Sequence, residues 1–593
     1  MQDMVPLSVA REISEPVSRG LSPRKLPFWL QALTVMVLAA ALFFLGLGER
    51  ALWGPEGRWG SIAREMELSG NYFWPTINGR AYYDKPLLSY WLVIAASRLT
   101  DGVNEAAARL PSAAAGLAGV VLLTVLTNRL YDRCTAIFAG LILGASFSYV
   151  FWARVASADM ETVMGTLAAI TLFVFRSEKK GQWWVVGLWL IMAVTSLTKG
   201  LLGFALPLIV IGSYSLLSEG WREFLKGLFR GPLTGRITSL LDRLRWFFNW
   251  RTLLAVMLAG MVYYVPFAIS QWLMGSSVGM DMVIKENVIR FFDPVDHRGP
   301  IYLYTYSIFE LAAPWSIFLP AALLQMHLKS DGKSDRFTLT YFWAVFLFFT
   351  LSGSRRNYYL LPILPAVAIL IARLFSTPKE ALNRVARILM NLGFIVVALG
   401  MLSTGILVFL PPTMRFGILR SLPELPEMKV FAVLWAVQTA AFIFAFFKLS
   451  PLRIGLSMGI VAYLSLVFGF VFVLPETEVY RGEKPFAQAV RTQLNGDWSR
   501  LVFYKTMGES PAFWEGFIFY LGAKEPIPVY HDLQSLSLRL KSRPDSWIVT
   551  EEKDLPPRQL LGPVVERQAE FEKEHSVKKK RGLLLFRPQA GSP

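Results

Sequence analysis

Long apolar runs separated by short charged connectors dominate residues 28–474, and the remaining 475–593 alternate on a much shorter period. A helix crossing a bilayer needs about 20 apolar residues, and about thirteen segments approach that length: roughly 28–48, 104–128, 134–152, 158–176, 182–198, 200–218, 251–273, 302–325, 336–352, 357–375, 386–411, 428–447 and 453–474. The tail reads differently. LVFYK at 501–505, IPVYH at 527–531, SWIVT at 546–550 and GLLLF at 582–586 have strand character, and ESPAFWEGFIFYLG and DLQSLSLRLKS read as helices between them. The pattern predicts a polytopic α-helical membrane protein with a small C-terminal α/β domain.

Composition agrees. Of the 593 residues 54% are hydrophobic and only 17% charged, too few charges to cover a water-soluble surface of this size. The net charge of +17 has no basic soluble module to carry it, so nucleic acid is not an expected partner, whereas an excess of Lys and Arg in cytoplasmic loops is the mark of an oriented membrane protein. Connectors with Arg129 and Arg133, Lys179 and Lys180, Arg222 to Arg245, Lys329 to Arg336, Lys379 to Arg387, and Lys448 with Arg453 fall on one side of the alternation. The first span follows Arg19, Arg24 and Lys25 without a convincing cleavage site and reads as an uncleaved anchor. Expected domains are a cytoplasmic segment 1–27, a transmembrane domain 28–474 with large outer loops 49–103 and 274–301, and an extracytoplasmic α/β domain 475–593. Cys134 is the single cysteine, so that domain folds without an internal disulfide. The Lys573, Lys578, Lys579, Lys580, Arg581 run near its end reads as a solvated charge run.

A minority of charges break the alternation. Glu56, Arg58, Arg64, Glu65, Asp84, Lys85, Arg154, Asp159, Lys199, Arg298, Arg355 and Arg356 lie on the expected outer side, close to the apolar runs. Ionisable groups at membrane depth are costly and tend to mark function. The plainer reading of any one of them is a long side chain reaching for headgroups; as a converging set they point to a site. In 54–92, helical spacing from Arg58 to Ser69 offers Trp59, Ile62, Met66 and Leu68 as one buried face, and the apolar stretch 87–99 is too short to span and suits a helix in the interface.

These residues carry a resemblance. Glu56 and Arg58, Ile62-Ala63-Arg64-Glu65-Met66, Ser69-Gly70 and Lys85-Pro86-Leu87-Leu88-Ser89-Tyr90-Trp91 resemble the first extracytoplasmic loop of the family holding the bacterial aminoarabinose–lipid A transferases and the protein O-mannosyltransferases, membrane glycosyltransferases of the GT-C type. ARLPSAAAGL at 108–117, WARVASADMETVM at 152–164, SLTKGLLGFALPL at 196–208 and SGSRRNYYLLPILPA at 352–366 resemble further family segments in order. The resemblance implies a polyprenyl-phosphate-linked sugar donor and an envelope acceptor, most simply a lipid or glycolipid such as lipid A, at the outer face of a bacterial inner membrane. The same chemistry on a protein acceptor, a non-catalytic lipid-sugar flippase, and a non-catalytic partner are the alternatives. Sugar identity stays open.

Within that chemistry a carboxylate activates or orients the acceptor and cations stabilise the leaving phosphate. Many relatives carry Asp-Glu where this chain has Pro55-Glu56, and the family's catalytic carboxylate is often placed on that Asp. Here either Glu56 serves, or Asp159 does, or the acceptor chemistry differs; each also suits plain helix capping. Lys85 is the first expectation for donor phosphate, followed by Arg58, Arg355, Arg356, Tyr359 and Lys199, with Asp84, His297 and Arg298 in support. A lipid-phosphate leaving group requires no metal, and no cofactor is expected. His297 with Asp84 or Glu56 is a weak divalent-metal site against the plainer hydrogen-bonding loop histidine.

A reporter fused after Pro593 is expected to be active only outside the cytoplasm. Activity on the cytoplasmic side would overturn the predicted orientation.

Overall fold

The structure is a computed structural model, which describes residues 27–587 apart from 84, 178–180, 218–246, 286–288, 290–298, 330–331, 410–425, 449, 477–480, 507–513, 558–559 and 569–581. The apolar runs fold as helices: α1 (Phe28–Phe44), α2 (Glu56–Ser69), α3 (Leu88–Ser97), α4 (Glu105–Leu130), α5 (Arg133–Gly144), α6 (Phe147–Ala153), α7 (Asp159–Arg176), α8 (Trp184–Lys199), α9 (Leu202–Leu217), α10 (Trp250–Met274), α11 (Leu303–Leu311), α12 (Leu319–Leu328), α13 (Lys333–Leu351), α14 (Leu364–Ser376), α15 (Arg384–Phe409), α16 (Pro426–Lys448) and α17 (Pro451–Val467). A 3₁₀ segment, Asn357–Ile363, leads into α14. Among the described residues five helical stretches are long and apolar enough to cross a membrane, six if the α5–α6 pair is one span.

The expected thirteen spans are therefore coarser than the backbone. The run 134–152 is two helices bent by 63°, broken where Ser146 turns its backbone extended ahead of α6. The run 302–325 is α11, then a 3₁₀ turn at Trp315–Phe318, then α12. Hydropathy sums over such breaks because their residues are as apolar as the helices on either side.

One continuous core runs through the bundle, with α4 against α7, α7 against α8, α8 against α10, and α14, whose Leu364–Ala372 face is wholly buried, against α5. Exposed Leu, Val and Trp on α10, α15 and α17 face outward instead, as helix surfaces solvated by lipid do. Two glycines set the α8–α9 corner. Gly200, at φ 96°, takes a left-handed turn that L side chains resist, and a Cβ on Gly203 would lie 2.4 Å from the Ser196 nitrogen. This close crossing presents Lys199 at the tip of α8.

The segment 49–103 caps one end of the bundle, here termed the loop face. Trp59, Ile62 and Met66 of α2 are buried as the spacing predicts, but Leu68 is half exposed because α2 ends a residue later at Gly70 in the left-handed region. A two-stranded hairpin follows, β1 (Thr76–Ile77) and β2 (Arg80–Ala81). Glu65 folds it onto α2 by accepting hydrogen bonds from Thr76 Oγ1 at 2.6 Å and from the Asn78 and Gly79 amides at 2.6 and 3.1 Å.

The tail forms a five-stranded sheet in the order β4-β3-β5-β7-β6: β3 (Leu501–Tyr504), β4 (Val529–Tyr530), β5 (Trp547–Glu551), β6 (Val564–Arg567) and β7 (Leu583–Phe586). β3 pairs parallel with β4 and β5, and β7 antiparallel with β5 and β6. The helices are α18 (Glu483–Leu494), α19 (Glu515–Leu521) and α20 (Leu533–Ser542). Of these, β6 and α18 have no counterpart in the sequence reading. The α19 side of this domain lies on the loop face. A Cβ on Gly57 of α2 would sit 2.4 Å from the Gly516 nitrogen. Ser61 donates to the Glu515 carbonyl at 3.0 Å, Arg64 donates to the Phe519 carbonyl, and Asn78 exchanges two hydrogen bonds with the Ile527 backbone at 2.7 and 2.8 Å.

Gly203→Ala is expected to cost about 1–3 kcal/mol, since the clash is with backbone that cannot yield. Gly212→Ala on the same helix meets nothing within 4 Å and should be neutral or stabilising by up to about 1 kcal/mol. Thermal unfolding in detergent compares them; equal effects would refute the close crossing.

Candidate active site

Two polar clusters lie at the loop face, joined by a short stretch of backbone. The first is built on Arg109, in the first turns of α4, where the chain buries a guanidinium at 3% exposure. Its five N–H donors meet five acceptors: Glu56 Oε1 and Oε2 at 2.8 and 2.9 Å, and the carbonyls of Leu47, Arg50 and Ala51 at 2.8–2.9 Å. Glu56 is equally saturated. Beyond Arg109 it accepts from the Trp53 amide at 2.9 Å and the Ala156 amide at 2.8 Å. Burial alone would raise its carboxyl, but the Arg109 charge and these hydrogen bonds outweigh it and leave it below the ordinary range. A carboxylate whose acceptor positions are all occupied has none left for an acceptor proton, so the expectation that Glu56 serves as the base meets a geometry suited to holding two loops together.

Ala156 connects that cluster to the second. Residues 154–158 run from the end of α6 to Asp159, the first residue of α7, which is 8% exposed. Asp159 forms an ion pair with Lys199 at the end of α8. Two tyrosines of the 3₁₀ segment cover the lysine, with Nζ 5.8 and 5.2 Å from the ring centroids of Tyr358 and Tyr359. Arg356 donates to the Tyr358 hydroxyl at 3.0 Å, and the Trp152 ring packs on that of Tyr358 with centroids 4.4 Å apart. Lys85 comes from α3's approach: Ser89 donates to the Thr198 carbonyl at 2.8 Å, tying the Lys85–Ser89 segment to the residue before Lys199, with Lys85 itself half-buried.

Asp159, Lys199, Arg356 and Tyr359 thus meet, with Lys85 on the segment tied to Thr198. Arg355 is drawn away, donating to the Thr350 and Gly299 carbonyls at 3.1 and 2.9 Å. Arg58 stands half-buried in the first turn of α2, its guanidinium 5.9 Å from the Trp59 ring centroid. Arg64 and Glu65 serve the docking of the hairpin and tail, and Arg154 donates to the Leu42 and Gly46 carbonyls at 2.7 and 3.3 Å. Asp84, His297 and Arg298 lie outside the described residues. No group of three or more potential metal ligands occurs among the described residues. The sequence reading passed over Arg109, Tyr358 and Trp152, although an arginine inside a predicted span is itself a signal.

The chain has counterparts among known proteins. A family model described as dolichyl-phosphate-mannose-protein mannosyltransferase matches residues 84–240. The solved ArnT of Cupriavidus metallidurans bound to undecaprenyl phosphate superposes with a TM-score of 0.67 at 20% identity, covering 94% of this chain and 98% of that one. The fold is that of the GT-C membrane glycosyltransferases. By sequence the chain is similar to an uncharacterized protein of Aquifex aeolicus, at 28% identity over 63% of this chain and 69% of that one. It is also similar to undecaprenyl phosphate-alpha-4-amino-4-deoxy-L-arabinose arabinosyl transferases of Shewanella sediminis (28%) and Pseudomonas fluorescens Pf-5 (30%). The chain spans 59% of the length of each of those two transferases and aligns over 57–58% of its own.

Glu56→Gln and Arg109→Met should each destabilise the protein by about 3–5 kcal/mol, because each strands a buried partner, and the double variant should cost clearly less than their sum. Thermal unfolding of the purified protein checks this; additive losses would refute the pair. Because the Glu56 carboxyl is depressed in the folded state, its contribution is complete at neutral pH and is lost only as pH falls below the ordinary carboxylate range.

Proposed function

We propose that this chain is an integral membrane glycosyltransferase that moves a sugar from a polyprenyl-phosphate-linked donor to an envelope glycolipid of the lipid A type. The site lies at the outer face of the bacterial inner membrane, the N-terminus in the cytoplasm and the tail domain outside it. The observation that carries this reading is the Asp159–Lys199 pair under Tyr358 and Tyr359: one carboxylate among several cations, at the membrane face of a fold whose solved relative binds undecaprenyl phosphate.

The roles follow from charge. Lys85 and Arg356 hold the donor phosphate, Arg356 being suited to a two-pronged grip, and Lys199 adds its charge when the phosphate leaves. An acceptor oxygen attacks the anomeric carbon as the bond from that carbon to the phosphate oxygen breaks, and polyprenyl phosphate departs with the bonding electrons. Where the acceptor is a hydroxyl, Asp159 takes its proton; where it is a phosphate, Asp159 only orients it. Glu56 acts at one remove, its bond to the Ala156 amide fixing the loop that presents Asp159. Tyr359 covers the lysine, and Arg355 supports the arrangement by anchoring the backbone beside Arg356; Arg58, on α2, is left without a part in it.

Mass spectrometry of lipid A and other envelope glycolipids from cells with and without the gene is expected to show a sugar-sized mass difference. Asp159→Asn and Lys199→Met should each abolish it or reduce transfer by about 10²-fold or more, with the protein still inserted. An unchanged glycolipid profile would move the acceptor to protein, and full transfer by both variants would remove the pair from the mechanism.

A further inference from the structure

One cavity at the loop face has no part in the scheme above. It lies where α2 and the β1–β2 hairpin meet the tail's α19 and the turn into β4, and it measures about 300 Å³. Its frame is fixed from both partners. Glu65 ties the hairpin to α2, Asn78 exchanges hydrogen bonds with the Ile527 backbone, and a Cβ on Gly79 would meet the Pro526 ring at 2.6 Å. A preformed space of this size is at the lower end of those that take small ligands, with room for one ring rather than a chain.

The lining mixes apolar surface with uncommitted polar groups. Leu68 of α2 lines it at 50% exposure, together with Ile518 and Leu521 of α19. Trp74 lines it too, half-buried, with its ring against Tyr83 at 5.6 Å between centroids. The Trp74 indole N–H, the Lys524 ammonium and the Glu525 carboxylate make no hydrogen bond or ion pair among the described residues. Donors, an acceptor and apolar groups in one small space are what a sugar ring needs. Its C–H faces lie on aromatic and aliphatic carbon, and each hydroxyl both gives and takes a hydrogen bond. Charge narrows the class. With Glu65 the cavity carries two carboxylates to one ammonium, so a phosphate is disfavoured, whereas a neutral sugar or one bearing an ammonium is not.

We infer that this cavity is a saccharide subsite, taking one neutral or amino-substituted sugar ring against Trp74 with its polar groups on Lys524 and Glu525. Trp74 packs on Tyr83, whose hydroxyl donates to the Phe73 carbonyl at 2.6 Å, and Lys85 follows two residues later. A ring held here lies beside the segment that leads to Lys85. That the ring belongs to a substrate rests on the sugar transfer proposed above, with the acceptor glycolipid and the donor as its two sources. That the cavity binds a sugar does not rest on it.

Saturation-transfer NMR on the purified full chain, in a detergent without a sugar headgroup, reads the binding with methyl glucoside and glucosamine as probes. Both should receive saturation. Binding should weaken at least about fivefold in Trp74→Ala and in the double variant Lys524→Ala/Glu525→Gln, whose exposed side chains strand no partner. Saturation absent from the parent, or as strong in either folded variant, overturns the subsite whether or not the protein transfers sugar. Transfer kinetics of the double variant then read the source. A raised KM for the acceptor assigns the ring to the acceptor, and a raised KM for the donor assigns it to the donor, kcat being kept in each case. With neither KM changed, the assignment to a substrate is overturned. A parent that binds the probes yet transfers no sugar fails the proposed function alone.

Discussion

The buried pair between Glu56 and Arg109 is the constraint on which the loop face depends. A guanidinium at membrane depth is tolerable only when every N–H is answered, and here the answers come from residues 47, 50, 51 and 56. Satisfying one side chain therefore folds the whole connection between α1 and α2 over the start of α4. The carboxylate then reaches across to the Ala156 amide and fixes the loop ahead of Asp159. Removing either partner would free two loops at once, whereas most of the apolar packing below would be untouched.

Two kinds of glycine let the site close around that frame. Gly200 turns the backbone where a side chain would be strained, and Gly203 lets α9 cross α8 at backbone distance. Together they place an ammonium at the outermost point of α8, where the aromatic 3₁₀ segment can cover it. The ring faces supply partial negative charge without competing acid groups, so Lys199 remains a cation within a largely apolar wall.

The chain makes much of this legible before any fold is known. Alternation of apolar runs and basic connectors gives a membrane bundle, and the minority of charges out of place includes Asp159, Lys199, Lys85 and Arg356, on which the proposed site is built. What the pattern does not resolve is which misplaced charges are structural. Arg64, Arg154 and Arg355 each end on backbone carbonyls, of Phe519, Leu42 and Thr350, and hydropathy registers none of these pairings, whether the partner is distant in the chain or a turn away. Arg109 was hidden for the opposite reason: it sits within an apolar run long enough to read as a span. The broken helices at 144–147 and 312–318 escape for the same reason, since a break made of apolar residues leaves the hydropathy unchanged.

The fastening of the tail domain has one more implication. Ser61, Arg64 and Asn78 reach for main-chain atoms of residues 515, 519 and 527, and the closest approach, Gly57 on Gly516, is likewise to backbone. The tail answers with side chains of its own: the Tyr520 hydroxyl accepts from the Leu52 amide at 2.6 Å, Lys484 pairs with Glu105 at 2.6 Å, and the Phe519 ring is buried in the cluster beneath α2. The joint is therefore written on both partners, and loop and tail are free to change in sequence only where neither set of contacts is made.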